Sequence, residues 1–366
     1  MHVVVVSTSH RGDDARIVHR QARSLLQAGH QVTAVLPDPG DSARSSDPAG
    51  LERMVVRRAV GRRRVRAWLE ARRVVRSIQA DVVIVHDPEL VPWIRGRGRT
   101  PLVWDMHEDF VALVDDTVWI PRLFRFLIRA VVRGVEGLAR RKCLVILAED
   151  AYRSRFPEAP VVPNTTWVDD GLIPYVEGKR VVYVGRLSWD RGLAEMIDIG
   201  RRLRGESGLQ LVLVGATDAD CRLELDEAVR RGDVDWRGPL PNPEALTLVR
   251  GSLAGLSLLH DVANYVVSRP TKIFEYMAAG VPAVSTPLPL AREMLDESQS
   301  GVLTSSWRGN SLVDEVVAAV EAYASDSDRR VEEGRRGWEY ARAARNWNRD
   351  GLEFVRIIEQ AGSSRG

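Results

Sequence analysis

The chain is short of lysine: only Lys142, Lys179 and Lys272 stand among 52 basic residues, and the rest are arginine. It has two cysteines, Cys143 and Cys221, far apart in sequence and in no metal or redox spacing. Free thiols in a reducing compartment follow as the expectation. No apolar run approaches the ~20 residues needed to cross a bilayer. Met1-His2 leads straight into VVVVSTS, which is too short for a secretory core and reads as a buried first strand, so a cytoplasmic location is expected. The glycine fingerprint GxGxxG is missing, which argues against a nicotinamide dinucleotide, and no cofactor is expected.

What is present describes two ordinary domains. The 366 residues, 45% hydrophobic and 28% charged, suffice for two separate cores. Net charge is only +2, yet residues 1–165 carry +8 and residues 166–366 carry −6. The front half is therefore suited to something anionic. No nucleic-acid partner is expected.

Residues 3–7, 31–36, 81–86, 101–105 and 144–148 read as strands, and residues 14–28 as an amphipathic helix with Ile17, Ala22, Leu25 and Leu26 inward. Strand, helix and strand within so short a stretch make a βαβ unit and hence a parallel sheet. Residues 38–53 read as a mobile loop. Residues 62–78 form an arginine-dense helix with Val65, Trp68, Leu69, Val75 and Ile78 on its other side, suited to an anionic membrane surface. A linker spans 165–179, and the βα rhythm then restarts: strands at 181–184, 209–214 and 254–259, with helices between and after them. A second parallel-sheet domain follows from that restart. The boundaries read as 1–165, 166–345 and a final amphipathic helix at 346–366.

Chemistry-bearing residues gather at strand ends, where open α/β sheets bind ligands. His10 and Arg16 follow the first strand, although a surface loop and a solvated helix face fit them too. His86, Asp87 and Glu89 follow one strand, and Asp105, His107 and Glu108 another. These could line one cleft, but their spacing matches no standard ligand motif and no metal is expected. In the second half, the turn Gly185 to Gly192 carries Arg186 and Arg191. The stretch NYVVSRPTKIFEYMAAGVPAVSTP (264–287) holds a helix from Thr271 to Ala279, with Pro270 as its first residue, Ser268 as a possible N-cap and Gly280 as its stop. Exposed amides at such a helix start, with Lys272, Arg186 and Arg191, suit a diphosphate. Glu275 one turn on suits vicinal hydroxyls. An αβ unit with a solvated Lys272–Glu275 pair fits the same pattern.

Taken in order, HDPEL (86–90), WDMHED (104–109), VPN (162–164), GRLSWDRG (185–192), RGPL (237–240) and SRPTKIFEYMAAGVPAVS (268–285) resemble the retaining glycosyltransferases of family 4. The resemblance covers nearly the whole chain. It implies the GT-B fold, two facing Rossmann-like domains, with the last helix crossing back to the first. It implies transfer from a nucleotide-diphosphate sugar, UDP-linked on family base rates, to a saccharide or lipid-linked acceptor in surface polysaccharide or glycolipid assembly, without a metal. Arg186 would contact the donor diphosphate, as would Arg191, where the family commonly has Lys. Glu275 matches the second Glu of the E-x7-E motif and would hold the ribose; Val267 replaces the first, so Ser268 or Arg269 would serve the sugar differently. Thr271, Gly185, Arg237 and Gly238 fall in the matching donor segments. His107 matches the histidine that touches the donor sugar near the reacting carbon. An epimerase of the same fold and a non-catalytic nucleotide-sugar binder remain alternatives.

Overall fold

A computed structural model describes residues 1–40, 44–94, 100–107, 122–172, 178–266 and 269–363. The chain divides into two compact units. One takes residues Met1–Asn164 and Trp347–Gly366, the other Thr165–Asn346.

The first unit is built on six parallel strands: β1 (His2–Val6), β2 (Gln31–Leu36), β3 (Leu51–Val55), β4 (Val82–Val85), β5 (Leu102–Met106) and β6 (Leu144–Leu147). Their order is β3-β2-β1-β4-β5-β6. Near-continuous valine runs mark strands covered on both faces, and every residue of β4 is buried. Helix α1 begins as a π-helical stretch, Ala15–Ala22, and continues as Arg23–Gln27. Asp14 caps it, accepting from Arg16 N at 2.9 Å and Ile17 N at 3.0 Å. Its inner face holds the expected Ile17, Ala22 and Leu25, but also Arg16, His19, Arg20 and Gln21. Arg16 is thus not on a solvated helix face.

One further expectation is corrected in this unit. The stretch read as a loop over 38–53 ends inside β3, which begins at Leu51 and whose mostly exposed edge gives little hydrophobic signal. Helix α2 (Arg64–Ser77) buries Ala67, Ala71 and Val75 and leaves Val65 and Leu69 48% and 45% exposed. Trp68 packs near Trp93, ring centroids 6.1 Å apart. Helix α3 (Arg122–Lys142) leads into β6.

The second unit holds β7 (Arg180–Val184), α4 (Leu193–Arg202), β8 (Gln210–Val214), α5 (Arg222–Arg231), β9 (Asp235–Trp236), α6 (Asn242–Val249), β10 (Ala254–Ser257), α7 (Ala263–Val266), α8 (Thr271–Ala278), β11 (Ala283–Ser285), α9 (Pro289–Ser298), β12 (Gly301–Leu303), α10 (Gly309–Ser325) and α11 (Ser327–Ala344). Its six strands are also all parallel, in the order β12-β11-β10-β7-β8-β9. Val181, Tyr183, Leu211, Leu213 and Leu256 pack against Met196, Ile197, Val316 and Val320 in its core. Helices α7 and α9 and strand β12 are additions to the sequence reading.

The last helix, α12 (Trp347–Ser363), belongs to the first unit, as the family resemblance implies. Trp347 is fully buried there and its indole N–H donates to Ser24 Oγ at 2.9 Å. Truncating such a side chain costs about 3–5 kcal/mol, so the chain's return is a firmly packed element.

Candidate functional site

In each unit the strand order reverses at one point, between β1 and β4 in the first and between β7 and β10 in the second. Ligands of open parallel sheets seat in the crevice beyond the carboxyl ends of the strands at that point. Both crevices are rich in charge.

In the second unit, β7 ends at Gly185 and the turn carrying Arg186 and Arg191. Gly185 has a φ of +144°, which side chains rarely adopt, and a Cβ there would lie 3.5 Å from Lys272 Nζ. The Lys272 ammonium therefore stands beside the backbone of this turn. It lies 3.9 Å from the Tyr183 ring centroid. Lys272 and Glu275 are both buried, at 7% and 9% exposure, so they are not a solvated surface pair. Nζ has no hydrogen-bond partner among the described residues. Burial, then the positive charge of Arg191, push the ammonium well below its ordinary pKa, and Glu275 opposes them in part.

Tyr183, which the sequence reading missed, organises this crevice. Its hydroxyl donates to Arg186 O at 2.7 Å and so fixes the turn from below. Tyr265 on α7 does the same from the side: its hydroxyl donates to Asp190 Oδ2 at 2.6 Å, and its ring faces the Arg191 guanidinium at 5.3 Å. Gly192 brings the turn so close to β10 that a Cβ would meet Leu258 O at 2.6 Å. The Arg186 guanidinium is 63% exposed and forks onto Asp218, Nε to Oδ1 at 2.6 Å and Nη2 to Oδ2 at 2.8 Å. Asp218 follows β8, and its position at the next strand end was the signal available for it.

Several expectations about this crevice need correcting. Pro270 is the N-cap of α8 rather than its first residue, with no side-chain capping bond, and Thr271 opens the helix. Ser268 and Val267 lie outside the described residues. Arg237 does not join Lys272. It pairs with Asp235 at 2.7 Å and lines a separate cavity of about 630 Å³ with Lys179, Arg180 and Arg204. Gly238 follows it with a φ of +68° and open space around its Cβ position.

In the first unit, Asp87 clasps the loop after β1. Its Oδ1 accepts from Ser7 Oγ at 2.7 Å, and its Oδ2 from Thr8 N at 2.6 Å, Thr8 Oγ1 at 3.0 Å and Ser9 N at 3.0 Å. His10 Nδ1 stands 3.0 Å from Oδ1. Burial pushes the Asp87 carboxyl up, but His10 and these donors outweigh it and hold it well below the usual carboxylate range.

Arg16 reaches across to Asp105, Nε to Oδ2 at 2.8 Å and Nη2 to Oδ1 at 2.7 Å, with Gln21 Nε2 donating to Oδ2 at 2.9 Å. Arg16 Nη2 also donates to Val162 O at 3.0 Å. Burial again raises the Asp105 carboxyl, and Arg16 with His107 and His86 overcomes it. His86, Asp105 and His107 each bring one potential ligand atom within 4.8 Å of the others. Both Asp105 oxygens already serve Arg16, which leaves that carboxylate little charge for a cation. Burial pushes the His86 imidazole down, toward its neutral form. His107 Nε2 lies 2.8 Å from His10 Nε2. The structure thus brings His10, Arg16, His86, Asp87 and His107 together in one crevice. Glu108 lies outside the described residues.

The comparisons agree with this architecture. Residues 15–165 match the family model of a glycosyl transferase 4-like domain, and residues 178–322 that of glycosyl transferases group 1. Together these matches take in most of the chain and identify it as a glycosyltransferase of the GT-B type. Among solved structures it is similar to the sucrose-phosphate synthase of Thermosynechococcus elongatus, at 15% identity and TM-score 0.68 over 99% of both chains. It is similar to Anabaena HepE, at 15% identity and TM-score 0.69 over 98% of this chain and 100% of that one. WaaG, a glycosyltransferase involved in lipopolysaccharide biosynthesis, aligns at 14% identity and TM-score 0.67 over 98% and 99%. At such identities the likeness is one of fold. No curated protein matches the sequence.

Proposed function

We propose that the chain is a retaining glycosyltransferase of family 4. It moves a sugar from a nucleotide-diphosphate sugar, with UDP as the favoured nucleotide, to a saccharide or lipid-linked acceptor in surface polysaccharide or glycolipid assembly. The observation that carries this reading is the Lys272 ammonium, buried beside the Gly185 turn without a hydrogen-bond partner among the described residues. A buried, unpaired cation costs free energy until an anion meets it. A diphosphate seated on the turn would do so. HepE has been solved with UDP and with UDP-glucose, which supports a uridine nucleotide here.

In this reading Lys272, Arg186, Arg191 and the first amides of α8 stabilise the charge that grows on the leaving diphosphate, without a metal ion. Arg186 exchanges Asp218 for phosphate, and Glu275 holds the ribose hydroxyls. The acceptor hydroxyl attacks from the face the diphosphate leaves, and a departing phosphate oxygen takes its proton. His107 contacts the donor sugar, as the resemblance implies. The protein works at the cytoplasmic face of the inner membrane, with α2 as its membrane contact.

A thermal-shift panel of nucleotide sugars tests the donor. A matching donor stabilises by about 2.7 kcal/mol at a hundredfold excess over its Kd. Nucleotide diphosphate released only when acceptor is added separates transfer from epimerisation and from mere binding. Retention is read from the anomeric NMR signal of the product. A panel in which no nucleotide diphosphate binds overturns the reading.

A further inference from the structure

His10 and His107 stand in an unusual proton environment. His10 Nδ1 faces the Asp87 carboxylate at 3.0 Å. Among the described residues His107 Nδ1 faces acceptors, the Asp105 carbonyl oxygen at 3.2 Å and Asp105 Oδ2 at 3.3 Å. Each Nδ1 is therefore best served by carrying a hydrogen. Two neutral rings protonated in that way would turn bare Nε2 lone pairs toward each other, and those atoms are only 2.8 Å apart. Such a contact needs a hydrogen between them. Three hydrogens on two rings make one net positive charge.

The surrounding charges favour the same count. Asp87 and Asp105 are essentially inaccessible to solvent, at 1% and 0% exposure, and Asp14 lies close by at the start of α1. Its carboxyl, raised by burial, is brought back below its usual value by His10, His107 and the Ile17 amide. Against these three carboxylates, among the described residues, Arg16 is the cation paired inside the cluster, and Arg11 acts on Asp14 from its edge. Glu89 accepts from Arg64 and from Ser9 at the outer edge. His86, its ring 5.6 Å from that of His107, is held neutral by burial. Burying unbalanced carboxylates is costly, and a proton on the pair offsets part of that cost.

We propose that His10 and His107 act as one proton-sharing pair with a single positive charge, and that His10 is a positioning residue. It fixes the His107 ring and keeps a hydrogen at its Nε2. The catalytic part of this inference rests on His107 being the donor-sugar histidine; the proton count does not. The pair turns two weak imidazole bases, joined to Asp87 on one side and Asp105 on the other, into one unit that titrates together.

Long-range proton–nitrogen NMR of the full chain, labelled at histidine nitrogen, tests this. At pH 7 both Nδ1 atoms should be protonated, and the two Nε2 signals should share one further proton. In His10→Gln the shared step disappears and His107 titrates alone. In an active preparation the pH profile of kcat then changes, while the donor KM changes less. A wild-type spectrum at pH 7 with His107 Nδ1 unprotonated overturns the proposal. So does a His107 titration unchanged by His10→Gln. The wild-type spectrum decides alone if that variant does not fold. It also decides if no donor supports transfer, since it needs neither donor nor acceptor.

Discussion

The Lys272 ammonium stands over the Tyr183 ring, 3.9 Å from its centroid, and makes no hydrogen bond among the described residues. A ring face returns only part of the hydration that a buried ammonium loses. The sign of its effect on stability follows. Below its folded pKa the full cost of the charge is present. As pH rises through that value the cost is relieved, and stability climbs until the unfolded lysine itself titrates near pH 10.4. Lys272→Met should therefore raise the melting temperature at neutral pH in the absence of nucleotide. The same variant should lose the nucleotide-induced rise. Calorimetric scans with and without UDP give both numbers, and a variant that still responds to UDP removes Lys272 from the site.

Arg186 is expected to act on turnover rather than on folding. Its pair with Asp218 is exposed, a class worth at most about 1 kcal/mol. Arg186→Ala should lower kcat at least ~100-fold, the scale of losing one donor to the developing charge. Steady-state kinetics with the matching donor measures it. A rate near wild type would take Arg186 out of the mechanism.

The Arg16–Asp105 pair should behave oppositely, as a structural one. Arg16→Met leaves a buried carboxylate uncompensated, and urea melts should show a loss of about 3–5 kcal/mol. Adding Asp105→Asn should recover part of that loss. The carboxyls of Asp87 and Asp105 are held low in the folded protein. Their stabilisation is complete above the unfolded value near pH 3.9 and is lost as pH falls toward their folded values. Acid melts of the wild type should steepen below about pH 4, and those of the double variant less so.

Gly215 separates backbone placement from side-chain chemistry. It has a φ of +145°, and a Cβ there would lie 1.8 Å from Gly185 O. Gly215→Ala must push the Gly185 turn aside, so both stability and the response to UDP should fall. Gly238→Ala, also at positive φ but in open space, should cost only about 1–2 kcal/mol and lower the UDP response less than Gly215→Ala does. Equal UDP responses in the two variants would remove the turn from the donor site.

Helix α2 offers exposed Val65 and Leu69 among Arg63, Arg64, Arg66, Arg73 and Arg76, which are also exposed. No helix among the described residues is long and apolar enough to cross a membrane. Flotation with anionic vesicles should show binding that weakens as salt rises. Substituting Val65 and Leu69 with Ser should reduce it. Binding that ignores both salt and these residues rules α2 out as the contact.

The parallel sheets were legible because their signals are local. A valine run bounded by Gly or Pro, followed by a helical period, specifies βα wherever it occurs, and it occurs in both units. Edge elements such as β3 and β12 escaped because an exposed strand keeps few apolar residues and a three-residue strand shows no period. The strand-end placement of His10, His107 and Arg186 was equally readable, since a parallel sheet puts those ends on one edge, and Lys272 was readable at a helix start. Their electrostatic state was not. Arg16 meets Asp105 across 89 positions of chain and His10 meets His107 across 97; Lys272 lost its solvent to Tyr183 and the Gly185 turn, and Arg237 went to another cavity. Sequence alone settled which segments form strands and helices, because that follows from local periodicity. Tertiary structure alone decided which charges are buried and paired, because burial and pairing depend on neighbours distant along the chain.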